Sequence, residues 1–125
     1  MNANQARFSK RARLLKPAEF SRVFDQALRS SDRLFIILVR LNDKLSSPRL
    51  GLAISKKNAR LAVDRNRIKR IIRESFRHNL SRLPAADFVV MARPVTRTLT
   101  NQALFDSLDN HWNRLIKQCE ESSSD

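Results

Sequence analysis

The most constraining feature of the chain is the stretch from Arg65 to Arg77. Turned at about 100° per residue, it separates into two faces. Ile68, Ile71, Ile72 and Phe76 cluster on one side, while Arg65, Asn66, Lys69, Arg70, Arg73 and Arg77 cluster on another. Arg67 and Glu74 fall near the back. Such a helix must lay its apolar face on a core and leave its cations outside. The cations are too dense to serve only as a solubilising face. Like charges at i,i+4, such as Arg65–Lys69 and Lys69–Arg73, each oppose the helix by about 0.2–0.5 kcal/mol. A phosphate backbone would offset that repulsion, and arginine can grip phosphate with two parallel donors.

The distribution of charge over the chain agrees. Net charge is +13. Residues 1–48 hold ten basic and four acidic residues, residues 49–82 eleven and two, and residues 83–125 four and six. The positive field therefore belongs to the first two-thirds of the sequence, and a polyanion is the expected partner. A membrane surface is a poorer match, because no basic helix here carries a long free apolar wedge.

The remaining sequence fits one domain of 125 residues around one modest core. Residues 1–13 read as a basic flexible arm. Pro17 suits the first turn of a helix over 17–28, which would carry Phe20, Val23, Phe24, Ala27 and Leu28 before Ser30, Ser31 and Asp32 break it. Leu34 to Val39 reads as a strand and Asn42 to Pro48 as a turn. Arg49 to Ser55 reads as a second strand, alternating bulky and small residues, and the two strands are expected to pair as an antiparallel hairpin. Gly51, the only glycine, marks a close backbone approach, a bulge or a tolerated position. Lys56 to Val63 connects to the basic helix, expected over 65–81 with Asp64 as N-cap and Leu83-Pro84 as its end. Phe88 to Ala92 forms a third strand. Thr100 or Asn101 caps a last helix bearing Leu104, Phe105, Leu108, Trp112, Leu115 and Ile116, and residues 120–125 are a polar tail. This order predicts a two-layer α/β (α+β) sandwich, a small sheet with helices packed against it.

Several functions are disfavoured. No apolar run is long enough to span a membrane, and the N-terminal residues lack the apolar core of a secretory signal; a cytoplasmic location is expected. A lone Cys119 allows no internal disulfide and no cysteine-based zinc site, and it is expected to pack rather than react. One glycine allows no Gly-rich phosphate loop. His78 and His111 are far apart and no carboxylate pattern supports them; His78 is expected at the surface and His111 near the polar flank of the last helix. The acids are scattered, which argues against a two-metal site. An RNA-binding module and a DNA reader both remain open on composition, although the order of helices and strands argues against a helix-turn-helix.

The segment RNRIKRIIRESFR resembles the signature helix of the bacterial ribonuclease P protein family. Gly51 to Lys57 (GLAISKK), Arg13 to Lys16 with Glu19-Phe20 and Val23-Phe24, and Asp87 to Arg93 (DFVVMAR) resemble its neighbouring segments, in matching order over roughly residues 8–117. The resemblance implies a ribosomal-protein-like fold with a mixed sheet and a left-handed βαβ crossover through the basic helix. It implies a protein without catalytic residues of its own, serving a catalytic RNA subunit that holds magnesium and removes the 5′ leader of precursor tRNA. Those two RNAs are the partners it implies; no obligate protein partner is expected. By matching positions, Phe20, Phe24, Lys57, Arg65, Asn66 and Lys69 are the candidates for a cleft that takes the leader, and Lys56 is a further RNA-binding candidate. Arg67, Arg70 and Arg73 are matched to contacts with the catalytic RNA or with structural phosphates. Leu38 stands where some relatives carry a tyrosine in the cleft strand.

Overall fold

A computed structural model of the chain describes residues 28–41, 45–54 and 62–123. The described chain forms strands β1 (Leu28–Ser31), β2 (Phe35–Leu41) and β3 (Arg49–Ala53), helix α1 (Ala62–His78), strand β4 (Ala86–Ala92), a 3-10 turn (Pro94–Thr98) and helix α2 (Asn101–Ser123). The strands make one mixed sheet in the order β1-β2-β4-β3. The small sheet with helices on it is the expected architecture.

The pairing differs from the expected hairpin. β2 and β3 are not neighbours; β4 lies between them, antiparallel to β2 and parallel to β3. The reason is visible in β4 itself. Its residues 86–90 and 92 are buried, and a strand apolar on both faces satisfies its burial only at the centre of a sheet. β2 pairs on its other side with β1. The helix expected over 17–28 falls outside the described residues except at its last position. There Leu28 begins a strand instead, and Ser30 and Ser31 continue it. Asp32 closes the β1–β2 turn. Its Oδ1 accepts the amides of Leu34 and Phe35, both at 2.8 Å, and its own amide donates to the Phe35 carbonyl at 3.0 Å.

Helix α1 starts earlier than expected, so Asp64 is an acidic residue of its first turn, not its cap. It also ends earlier, at His78, because Asn79 donates from Nδ2 to the Ser75 carbonyl at 2.7 Å. At the start of α2, Thr100 is the cap: its hydroxyl accepts the Ala103 amide at 3.2 Å. This helix continues past Cys119 to Ser123, into the stretch expected as a tail.

Both helices pack on one face of the sheet. Ile68, Ile71, Ile72 and Phe76 of α1 meet Leu104, Leu108, Trp112, Leu115 and Cys119 of α2 over Phe35, Ile37, Val39, Leu50, Phe88 and Val90. Each fully buried side chain of this size stabilises the fold by about 1.5–3 kcal/mol. At the centre, Phe76, Phe88 and Trp112 meet edge to face with centroids 5.6–6.0 Å apart. Trp112 donates its indole N–H to the Ser75 hydroxyl at 2.8 Å, so the tryptophan is buried without leaving a donor unpaired.

Candidate nucleic-acid interface

Burial of Ile68, Ile71, Ile72, Ser75 and Phe76 fixes the rotation of α1. Asn66 and Arg70 are exposed as a result, and Arg65, Lys69 and Arg73 are partly exposed. The helix thus displays Arg65, Asn66, Lys69, Arg70 and Arg73 along its solvent side, as the periodicity requires. Lys69, Arg70 and Arg73 have no acidic partner among the described residues; an ion pair on this helix joins Arg77 to Glu74 at 3.6 Å. Arg70, Arg73, Glu74 and Arg77 line an open pocket of about 280 Å³. Arg73 Nε is buried beside it with no hydrogen-bond acceptor among the described residues.

Arg67 behaves differently from its neighbours. Its guanidinium turns toward the segment between β4 and α2. Nη1 donates to Asn101 Oδ1, and Nη2 lies 3.2–3.3 Å from the carbonyl oxygens of Thr96, Arg97 and Leu99. The residue assigned to RNA by its position in the motif is therefore a tie between the basic helix and the 3-10 turn.

The sheet face away from the helices is a second candidate surface. Strand alternation and register place residues in rows across it. Ser31, Ile36, Met91 and Ala53 form one row; Arg29, Leu38, Val89 and Gly51 the next; Arg40, Asp87 and Arg49 the third. Ile36, Leu38, Arg40 and Met91 are partly exposed. Arg49 Nε donates to Asp87 Oδ1 at 2.7 Å, which pairs a buried carboxylate. The face thus combines apolar side chains with arginines at its margins. Arg29 and Arg40 were not singled out from sequence, although the alternation of Ile36, Leu38 and Arg40 along β2 carries the signal. Phe20, Phe24, Lys56 and Lys57, the remaining expected cleft residues, lie outside the described residues.

His111 is not on a polar flank. It is fully buried, its Nδ1 is 2.6 Å from the Ser30 hydroxyl, and its Nε2 is 3.1 Å from Asp32 Oδ1, off the line of a hydrogen bond. Ser107 donates to the other oxygen of Asp32 at 2.6 Å. Burial would raise the Asp32 carboxyl, but hydrogen bonds from Ser107 and the Phe35 and Leu34 amides, with the His111 ring beside it, hold it down at about 2. Burial lowers the pKa of His111, with Asp32 opposing and Arg114 assisting. This network pins the β1–β2 turn to α2. Sequence reasoning missed it because its members are some 80 positions apart. Ser30 is itself buried.

Among the described residues no three His, Cys, Asp or Glu side chains converge as a metal set. Asp32 and Asp87, the more buried carboxylates, are already held by protein donors. Cys119 packs in the core, and burial raises its thiol pKa. Among the described residues no helix is long and apolar enough to cross a membrane.

The family model described as Ribonuclease P matches residues 8–116. The chain belongs to the ribonuclease P protein family. The ribonuclease P protein component of Methylococcus capsulatus is 48% identical over 117 residues, covering 94% of this chain and 91% of that protein. That of Vibrio campbellii is 48% identical over 114 residues, covering 91% and 96%. The ribonuclease P protein structure from Staphylococcus aureus matches with a TM-score of 0.78 at 34% identity, over 86% of this chain and 97% of that one. The Thermotoga maritima ribonuclease P protein matches at 0.72 and 28% identity, over 82% and 96%. As a ribonuclease P protein component, the chain belongs to tRNA processing, and the family implies an RNA subunit as partner.

Proposed function

We propose that the chain binds the catalytic RNA of ribonuclease P through the outer side of α1 and receives the 5′ leader of precursor tRNA on the sheet face away from α1 and α2. The observation that carries this reading is the rotation of α1. Its isoleucines and Phe76 are locked in the core, so Lys69, Arg70 and Arg73 are held outward without acidic partners among the described residues. A rigid helix presenting unpaired cations is a phosphate-binding device whose repulsion is relieved on binding. The sheet face suits a single strand, because apolar side chains accept bases while flanking arginines follow the phosphates. Lys57, Arg65, Asn66 and Lys69 would join that path, together with Phe20 and Phe24. Magnesium and the hydrolysis itself belong to the RNA subunit in this reading; the protein raises substrate affinity and screens charge where the two RNAs meet.

The test is affinity of each reconstituted variant for long-leader and leaderless tRNA, with affinity for the RNA subunit measured separately. Lys57→Ala and Lys69→Ala should weaken binding of leader-bearing substrate selectively. Arg70→Ala and Arg73→Ala should weaken assembly with the catalytic RNA whichever tRNA is present. Equal losses for leader-bearing and leaderless tRNA in the lysine variants would remove the division into two surfaces. Metal-dependent cleavage of precursor tRNA by RNA-free protein would remove the assignment of chemistry to the RNA.

A further inference from the structure

Arg67 does something that its place in the basic motif does not explain. Its guanidinium is committed to four protein acceptors, the Asn101 side chain and the carbonyls of Thr96, Arg97 and Leu99. It has little left to offer phosphate as a two-pronged donor. Its charge nevertheless remains, lodged under the 3-10 turn. The turn is fixed from several sides. The Thr96 hydroxyl donates to the Arg93 carbonyl at 2.7 Å, the Thr98 hydroxyl to the Val95 carbonyl at 2.9 Å, and Arg93 Nε to the Asp32 carbonyl at 2.8 Å. What this rigid turn presents to solvent is Pro94, Val95, Arg97 and Thr98. Arg97 has no acidic partner among the described residues, and its own carbonyl is one of those gripped by Arg67.

The location of this cation matters. Residues 83–125 carry four basic residues against six acidic ones, yet Arg93 and Arg97 both fall at the turn tied to α1. An unpaired arginine held beside an already cationic helix raises self-repulsion in the free protein, and a polyanion would relieve it. We propose that the Pro94–Thr98 turn is a second contact element for the phosphate backbone of the RNA subunit, with Arg97 the contacting residue and Arg67 the residue that positions it. The proposal rests on the reading that α1 faces that RNA. It extends the basic surface off the helix, across the flank that Arg67 bridges. It also gives Arg67 a role distinct from that of Arg70 and Arg73: it carries the turn to the RNA and makes no contact itself.

The experiment is binding of the full chain to its RNA subunit over a salt series, with thermal melts alongside. Arg97→Ala should leave the melting temperature unchanged and weaken binding roughly three- to tenfold. It should also flatten the log–log salt slope by about 0.7–0.9, the share of one phosphate. Arg67→Ala should lower both stability and affinity. Arg67→Lys should not restore affinity, because an ammonium cannot span the four acceptors. In the Arg67→Ala background, adding Arg97→Ala should cost little further affinity, since the turn is already released. Full additivity of the two changes would overturn the positioning role. Unchanged affinity and slope in Arg97→Ala, with Arg70→Ala and Arg73→Ala still impaired, would overturn the turn as a contact and leave the helix reading standing. No change of slope in any of these variants would overturn both.

Discussion

Helices α1 and α2 do the same structural work and present opposite outer surfaces. Both lay an apolar stripe on the same sheet face, and they touch each other through Phe76 and Trp112. Outside, α1 shows Asn66, Lys69, Arg70 and Arg73, whereas α2 shows Gln102, Asn110 and Asn113 with Asp106, Asp109, Glu120 and Glu121 against Arg114 and Lys117, a mixed surface with an excess of acids. The core stripe decides where each helix sits. The solvent side, which the core leaves unconstrained, decides what a helix can meet. Function can therefore be changed on α1 with little effect on the fold, and the fold can be damaged from α2 without touching the basic surface.

The largest expected effect tests the shared part of that comparison. Trp112→Ala should destabilise the protein by about 3–5 kcal/mol, measured by denaturant unfolding, because it empties the contact between the helices and orphans the Ser75 hydroxyl. A loss below about 1 kcal/mol would mean that α2 is not needed to seat α1. Next comes the hold of α2 on the β1–β2 turn. Asp32→Ala removes the acceptor of Leu34, Phe35 and Ser107 and should cost about 1–3 kcal/mol, again read by unfolding.

The same network sets a pH signature. The folded pKa of His111 lies below its ordinary value of 6.5, so the unfolded chain binds the extra proton first. Stability should fall as pH drops below 6.5. The Asp32 carboxyl, lowered from 3.8 to about 2, adds stability that is fully present above 3.8 and is lost as pH falls through that window. Melts of wild type between pH 7.5 and 5 should show the first decline, and His111→Gln should flatten it.

A smaller effect in energy separates the two outer surfaces. The pair Arg70→Ala and Arg73→Ala should leave the melting temperature within a degree or two while flattening the salt slope of RNA binding by about 1.4–1.8. On α2, Asp106→Asn should change stability by less than about 0.5 kcal/mol and leave the salt slope alone. A comparable slope change from α2 would erase the distinction between the helices.

Much of this was legible in the residues. The 3.6-residue period of α1 is strong enough to fix its buried and exposed sides before any fold is known, and Thr100 is a cap by chemistry. The failures have a common cause, which is that they depend on what lies across the fold. LRSS has little local preference for a strand; β1 exists because β2 offers it an edge and His111 offers Ser30 a partner. The expected β2–β3 hairpin does not form, because adjacency in sequence does not set adjacency in space and the apolar run of β4 asks for two neighbours. On the helical wheel Arg67 sits next to Ile71, at the border of the buried stripe, and only the position of the turn after β4 turns that border residue into a clamp.

The position of β4 has a consequence for how the chain is made. It is the last of the described strands to leave the ribosome, yet it belongs inside the sheet, between β2 and β3. Until residue 92 has emerged, β2 and β3 each present an open edge toward an empty slot, with the cationic segment of α1 strung between them. The sheet cannot close in order of synthesis, and the long-range pairing of β4 with both neighbours must come late. Nascent chains halted before Ala86 should therefore be prone to strand-edge association, and the RNA-facing helix acquires its fixed rotation only when the final strand and α2 arrive beneath it.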